Sequence, residues 1–191
     1  MNAPFGNTEY RFERPNGKPV FVPTDSGRKI AKQLLSKVRR RFQPDPFFYH
    51  LKKGGHVAAL HVHRQKKYFA RLDLENFFYT ISRNRVARAL QEIGLSRGEF
   101  FAKWSTVKNE FAPPAYALPY GFVQSPMLAS LVLANSRLGE YLREIHGHLV
   151  VSVYVDDIAI SGNNKRILQR TFRKLKKLTV ASNFVINTEK S

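Results

Sequence analysis

Apolar positions along this chain follow two periods, and the places where the period changes divide it into elements. Lys18 to Pro23 reads as a short extended segment. Ile30, Leu34, Val38 and Phe42 then recur at helical spacing behind Ser26, which predicts a capped helix over 26–42, ended by Pro44 and Pro46. Gly54-Gly55 predicts a turn and His56 to His63 a second short helix. Tyr68 to Leu74 reads as a buried strand, and Ser82 caps a helix ending before Gly94. Phe100, Phe101, Trp104 and Phe111 suggest more helix before a Pro113-Pro114 loop. Ser125-Pro126 is a strong helix start, and Leu128, Leu131, Val132, Leu138, Leu142 and Ile145 carry one helix to about 145. Strands follow at 149–155 and 158–161, a helix at 164–181 and a last strand at 184–186. This order predicts an α+β fold, an antiparallel sheet backed by helices. The expected division is a basic N-terminal lobe at residues 1–67 and the sheet-bearing body at 68–191.

Charge changes the picture more than length does. The chain has 191 residues, enough for a real core, with 32 Lys and Arg against 14 acids, a net charge of +18. Such a surplus repels itself unless an anion neutralises it, and phosphate backbones are the commonest partner. Cysteine is absent, which excludes disulfides and thiolate metal sites and fits a reducing cytoplasm. No apolar run reaches bilayer length, and Met1 to Phe12 holds no secretory apolar core, so no membrane role is expected. His61 and His63 stand two apart with no Cys partner, a poor zinc pattern.

The candidate chemistry lies in carboxylates. Asp156-Asp157 separates two apolar strands, where an Asp pair serves either as a plain hairpin turn or as a functional site. Asp73 ends an apolar strand, where a carboxylate is costly unless paired with a cation; a helix cap or an ion pair with Arg71 are its structural alternatives. Only five aspartates occur, and these three all lie at strand ends. If the hairpin pairs beside the Asp73 strand, the three acids converge. They would then suit two hard divalent cations about 4 Å apart.

Four segments together resemble the reverse transcriptase family. Tyr154-Val155-Asp156-Asp157 resembles its Tyr-x-Asp-Asp hairpin, motif C, and the stretch from Phe69 through Asp73 to Phe78 resembles motif A. Leu118 to Pro126 resembles motif B, and Phe184 to Ser191 resembles motif D. They occur in family order with family-like gaps, in the style of retron-type, group II intron-type and defence-associated bacterial enzymes rather than retroviral ones. The resemblance implies a right-hand polymerase palm behind a basic fingers lobe. It implies an RNA-directed DNA polymerase that uses an RNA template, a DNA primer, deoxynucleoside triphosphates and two Mg²⁺ ions, with Mn²⁺ as a substitute. The setting it suggests is antiviral defence or a retroelement.

The resemblance also assigns residues. Asp73 and Asp156 would hold both metals, with Asp157 as the accessory carboxylate and the Leu74 carbonyl as a further ligand. Phe78, five residues after Asp73, stands at the family's steric gate against a ribose 2′-hydroxyl; a core aromatic is the plain reading. Tyr120 and Gly121 fall where many relatives carry Gln-Gly beside the nucleotide, and Gln124 lies near. The Tyr120 departure puts template use in question. Lys190 matches the motif D lysine proposed as general acid, or is a solvated lysine. Lys52 and Lys53, with Arg64, face the triphosphate or form a solvated basic surface. Between Lys165 and Lys177 there are seven basic residues and no acid, which favours template or primer phosphates. The sequence runs to Ser191, short of the family's thumb, so the expectation is a fragment, a protein or RNA partner providing that clamp, or a polymerase that works without one. Rival readings are a template-independent or RNA-synthesising palm polymerase, and an inactive nucleic-acid-binding fragment.

Overall fold

A computed structural model describes residues 6–15, 17–110, 113–189 and 191. In chain order the elements are β1 (Thr8–Glu13), β2 (Pro19–Pro23), α1 (Asp25–Arg39), α2 (Gly55–His61), β3 (Tyr68–Glu75), α3 (Arg83–Glu92), α4 (Gly98–Ser105), β4 (Val107–Lys108), β5 (Tyr116–Ala117), α5 (Ser125–Ala134), α6 (Arg137–His146), β6 (Val150–Tyr154), β7 (Asp157–Gly162), α7 (Lys165–Ala181) and β8 (Val185–Ile186). Short 3₁₀ turns occupy Tyr49–Leu51 and Phe77–Thr80.

Side-chain caps set most helix starts. Ser82 accepts from the Arg85 N–H, Ser136 from Gly139 and Asn164 from Ile167, each satisfying a first-turn donor with no intrahelical partner. At α1 the cap is Thr24 rather than Ser26: its hydroxyl accepts from Gly27 at 3.1 Å, and the helix closes at Arg39, before the prolines. The expected single helix over 125–145 is two. Ser136 caps a new helix, and Gly139 then lies so near the preceding turn that a Cβ there would sit 2.3 Å from the Leu133 carbonyl oxygen.

Two compact units divide the chain by packing, one from residues 1–43 with 78–132 and the other from 44–77 with 133–191. They cut the chain differently from the expected lobes at 1–67 and 68–191. The first unit holds the β1–β2 hairpin, α1, α3, α4, the β4–β5 hairpin and α5 as far as Val132. Its α1 buries Ala31, Leu34, Leu35 and Val38 on one stripe, the amphipathic pattern expected of a core-facing helix.

The second unit holds one antiparallel four-stranded sheet in the order β6-β7-β3-β8. Helix α7 packs on β3 and β7, α6 on β6 and α7, and α2 on β6. Leu72, Leu74, Val153, Ile158 and Ile160 are almost fully buried in it. The α+β architecture expected of the sequence is the one observed, with its sheet built from the strands carrying the acids.

Candidate active site

The register of β3 against β7 places Asp73 directly opposite Asp157, and Tyr154 of β6 pairs with the same Asp157. Directly opposed residues hold their Cβ atoms roughly 5 Å apart, so the two carboxylates meet on one side of the sheet. The hairpin turn is Val155-Asp156, one residue earlier than the Asp156-Asp157 turn expected, because Asp157 already pairs in β7. Its peptide is tied across the sheet: the Leu74 N–H donates to the Asp156 carbonyl at 2.9 Å.

Arg71, two residues before Asp73 on β3, gathers the acids. Its Nη2 lies 2.6 Å from Asp157 Oδ1 and 3.9 Å from Asp73 Oδ2, and its Nε donates to Asp157 at 2.8 Å. The hydrogen bond to Asp157, outweighing partial desolvation, and the charges of Asp157, Asp73 and Asp156 together hold the guanidinium above its ordinary pKa. All three acids therefore act on one cation. Asp73 is 7% exposed, yet it has that countercharge, and its N–H donates to the Ser191 hydroxyl oxygen at 2.9 Å. As the side chains stand, no three His, Cys, Asp or Glu groups among the described residues form a metal cage.

The turn is strained and braced. Val155 has φ 57°, a region a β-branched residue seldom enters. Its N–H donates to His50 Nδ1 at 3.0 Å. The His50 ring stands edge-on to Phe48 and Tyr154, both with centroids 6.0 Å away. Burial pushes the His50 pKa down, against a smaller opposing hydrogen bond at Val153, which favours the neutral ring that can accept. Neither Arg71's clamp nor His50's brace was singled out in the sequence. Arg71 stood there as a possible partner of Asp73 alone, while His50 lies 105 positions from the residue it supports and carries no local signal.

Lys52 and Lys53 belong to this same unit. Lys52 is engaged internally: its Nζ donates to the Pro46 carbonyl and lies 3.7 Å over the Tyr49 ring, and burial lowers its pKa. Lys53 is exposed, as is Arg64. Lys190 lies outside the described residues.

The remaining expected nucleotide residues fall on the first unit. Phe78 is 5% exposed, with its ring 5.0 Å from that of Tyr120, which also packs on Tyr79 at 5.6 Å. Gly121 has a local reason to be glycine: at φ 97° a Cβ would lie 2.2 Å from the Phe21 carbonyl oxygen. The close approach accompanies a bridge between Val20 and Tyr120, whose carbonyl accepts from Phe21 at 2.9 Å. Gln124 is 2% exposed, its amide donating to the Ser105 hydroxyl oxygen.

Residues 15–191 match the family model described as reverse transcriptase (RNA-dependent DNA polymerase). The chain belongs to the reverse transcriptase family. Among curated relatives it is similar to the retron Ec86 reverse transcriptase of Escherichia coli, 23% identical over 181 residues, covering 91% of this chain and 53% of that protein. The chain thus spans about half the length of that relative. Among solved structures it resembles telomerase from Candida albicans in complex with a TWJ fragment of telomeric RNA. The TM-score is 0.50 at 11% identity, over 88% of this chain and 31% of that one, a likeness of fold. For this reverse transcriptase family member the α+β, palm-like sheet is the expected scaffold, and the opposed acids lie on its β3 and β7 strands.

Proposed function

We propose that the chain performs RNA-directed DNA synthesis, transferring deoxynucleotides to a primer 3′-hydroxyl, in a retroelement or an antiviral-defence setting. The carrying observation is the register that sets Asp73 opposite Asp157, with Asp156 in the adjoining turn. The donors suit hard divalent cations in kind, since they are oxygens only. Asp73 and Asp156 would hold Mg²⁺ or Mn²⁺, with Asp157 and the Leu74 carbonyl as further donors. Such ions, when bound, neutralise the triphosphate and lower the pKa of the attacking hydroxyl.

The chain's own groups supply position. The β3–β7 pairing fixes the two acidic strands, Arg71 keeps the carboxylates together, and His50 holds the turn that carries Asp156. In this reading the basic N-terminal lobe acts as fingers and residues 68–191 as palm. Phe78, backed by Tyr120, restricts the sugar, Gly121 keeps backbone close, and Lys53 with Lys52 faces the triphosphate. Lys190 donates a proton to pyrophosphate. RNA template and DNA primer are the partners, with a thumb-like clamp provided by further protein or RNA.

Tyr120 favours a second reading, template-independent addition, because the family residue that many relatives place there is Gln. Primer extension on RNA and DNA templates, and with single nucleotides and no template, separates the two. Wild type should extend in Mg²⁺ or Mn²⁺, and Asp156→Asn, which removes a charged oxygen donor, should lose at least about 10³-fold. Equal incorporation by the two proteins would sink the catalytic assignment.

A further inference from the structure

The first unit contains a cleft of about 740 Å³ that none of the motif residues lines. Its walls come from β1, the start of α3, the end of α4 and the β4–β5 hairpin, and they present Arg11, Arg83, Lys103 and Lys108 against one acid, Glu110. Arg11 and Glu110 neutralise each other at 2.6 Å. Arg83, Lys103 and Lys108, from three elements, also line the cleft.

Arg83 is the informative one. Its guanidinium carbon lies 3.8 Å over the Tyr116 ring, and its Nε donates to Thr106 Oγ1 at 2.9 Å. That hydroxyl is oriented in turn, because it donates to the Ala102 carbonyl at 2.9 Å. The guanidinium is therefore held by a stack and one hydrogen bond, while no carboxylate among the described residues pairs with it. Burial lowers its pKa, the mark of a cation partly withdrawn from water without a counter-ion. A fixed, partly desolvated guanidinium with free Nη edges matches the two oxygens of a phosphate better than a mobile lysine does. Tyr116 remains 43% exposed beneath it, an aromatic surface of the sort on which unpaired bases stack.

We propose that this cleft binds a phosphodiester stretch of a single nucleic-acid strand, with Arg83 gripping a phosphate, Lys108 and Lys103 neutralising its neighbours and Tyr116 carrying a base. The volume exceeds that of one phosphate, and the cations are spread across elements, which suits a polymer. The inference rests on the nucleic-acid partnership proposed above but is tested apart from catalysis.

The test is fluorescence anisotropy of the full chain with a labelled oligouridine 20-mer, without nucleotides or divalent metal, between 50 and 200 mM salt. Lys108→Glu and Arg83→Gln should each weaken binding by about 3- to 10-fold, and Arg83→Gln should reduce the slope of log affinity against log salt by roughly 0.7. Arg88→Glu, an exposed charge elsewhere on α3, should weaken binding less than about 2-fold. If Arg83→Gln fails to fold, Arg83→Lys takes its place: charge is kept, the fork is lost, and a weakening of at least about 3-fold is expected. Equal weakening by Lys108→Glu and Arg88→Glu would make the effect one of net charge and overturn the proposal, as would unchanged affinity in the Arg83 variant. A free nucleoside triphosphate that displaces the oligonucleotide from wild type but not from the Arg83 variant would assign the cleft to a nucleotide instead and also overturn it. Binding is read here without nucleotides or divalent metal and primer extension with both, so the polymerase reading and this one can fail separately.

Discussion

Val155 holds a backbone conformation that costs free energy, and the only described acceptor of its N–H is His50. The neutral imidazole thus steadies the turn bearing Asp156 without touching a reacting atom. His50→Leu should lower kcat by about 10-fold with little change in KM, whereas His50→Asn, which keeps an acceptor near the Nδ1 position, should recover most of it; steady-state extension kinetics read both. Arg71 supplies a countercharge to the acids of the same unit. Arg71→Leu removes the cation that the three acids share, so its melting temperature should fall in chelator and be raised by millimolar Mg²⁺ more than wild type's is. A Mg²⁺ response equal to wild type's would mean the acids do not share an ion. His63 titrates elsewhere. Its ring nitrogens meet Ser161 at 2.7 Å and Ser152 at 2.8 Å, its face meets Phe69, and burial lowers its pKa. Its folded pKa therefore lies below the unfolded value of about 6.5. Above that pH the ring adds no pH dependence; as pH falls through the interval, the unfolded chain takes up the proton first and stability drops. Urea unfolding at pH 7.5 and 5.5 should show a smaller loss for His63→Gln than for wild type.

The elements most legible in the sequence are those whose pattern is set by burial. β3, β6 and β7 were plain because apolar residues fill them, and α3 and α7 because Ser82 and Asn164 cap them. Where pairing or close packing decides instead, the pattern says less. β1 carries Tyr10 and Phe12 in strand alternation, but both are exposed, and its place is fixed by β2 rather than by a core. The split between α5 and α6 was hidden because apolar spacing continues across Asn135 and Ser136, while the break brings Gly139 against the end of α5. There an added methyl would meet the Leu133 and Ala134 carbonyl oxygens at 2.3 and 2.5 Å, both backbone atoms that cannot swing aside. Gly139→Ala should destabilise the fold by roughly 2 kcal/mol, measured by urea denaturation, although alanine is the better helix former by about 1 kcal/mol. A neutral or stabilising outcome would show that the α5–α6 break relaxes readily.

At the scale of the whole molecule, the +18 charge is distributed by element and not spread evenly. The carboxylate positions were readable because motif order and strand ends agreed, whereas charge shows its arrangement only once helix faces are known. On α7, Arg166, Arg170, Arg173 and Lys177 recur at intervals of four, three and four, which puts them on one exposed stripe. Lys174 flanks the stripe, but it lies 3.6 Å from Glu144 and over the Tyr141 ring, so its charge is partly spent within the fold. A stripe of this kind gains its affinity by releasing counterions from a phosphate backbone, and that gain shrinks as salt rises. Arg170→Glu with Arg173→Glu should therefore weaken binding to a primer–template duplex strongly at 50 mM salt and much less at 200 mM. The slope of log affinity against log salt should become shallower by about 2. Lys174→Glu changes the net charge by half as much, but the charge it removes is already engaged by Glu144, so it should shift the line less and leave its slope nearly unchanged. If the double variant's line instead runs parallel to wild type's, α7 does not touch phosphates, and its basic character serves only to keep this chain dispersed in water.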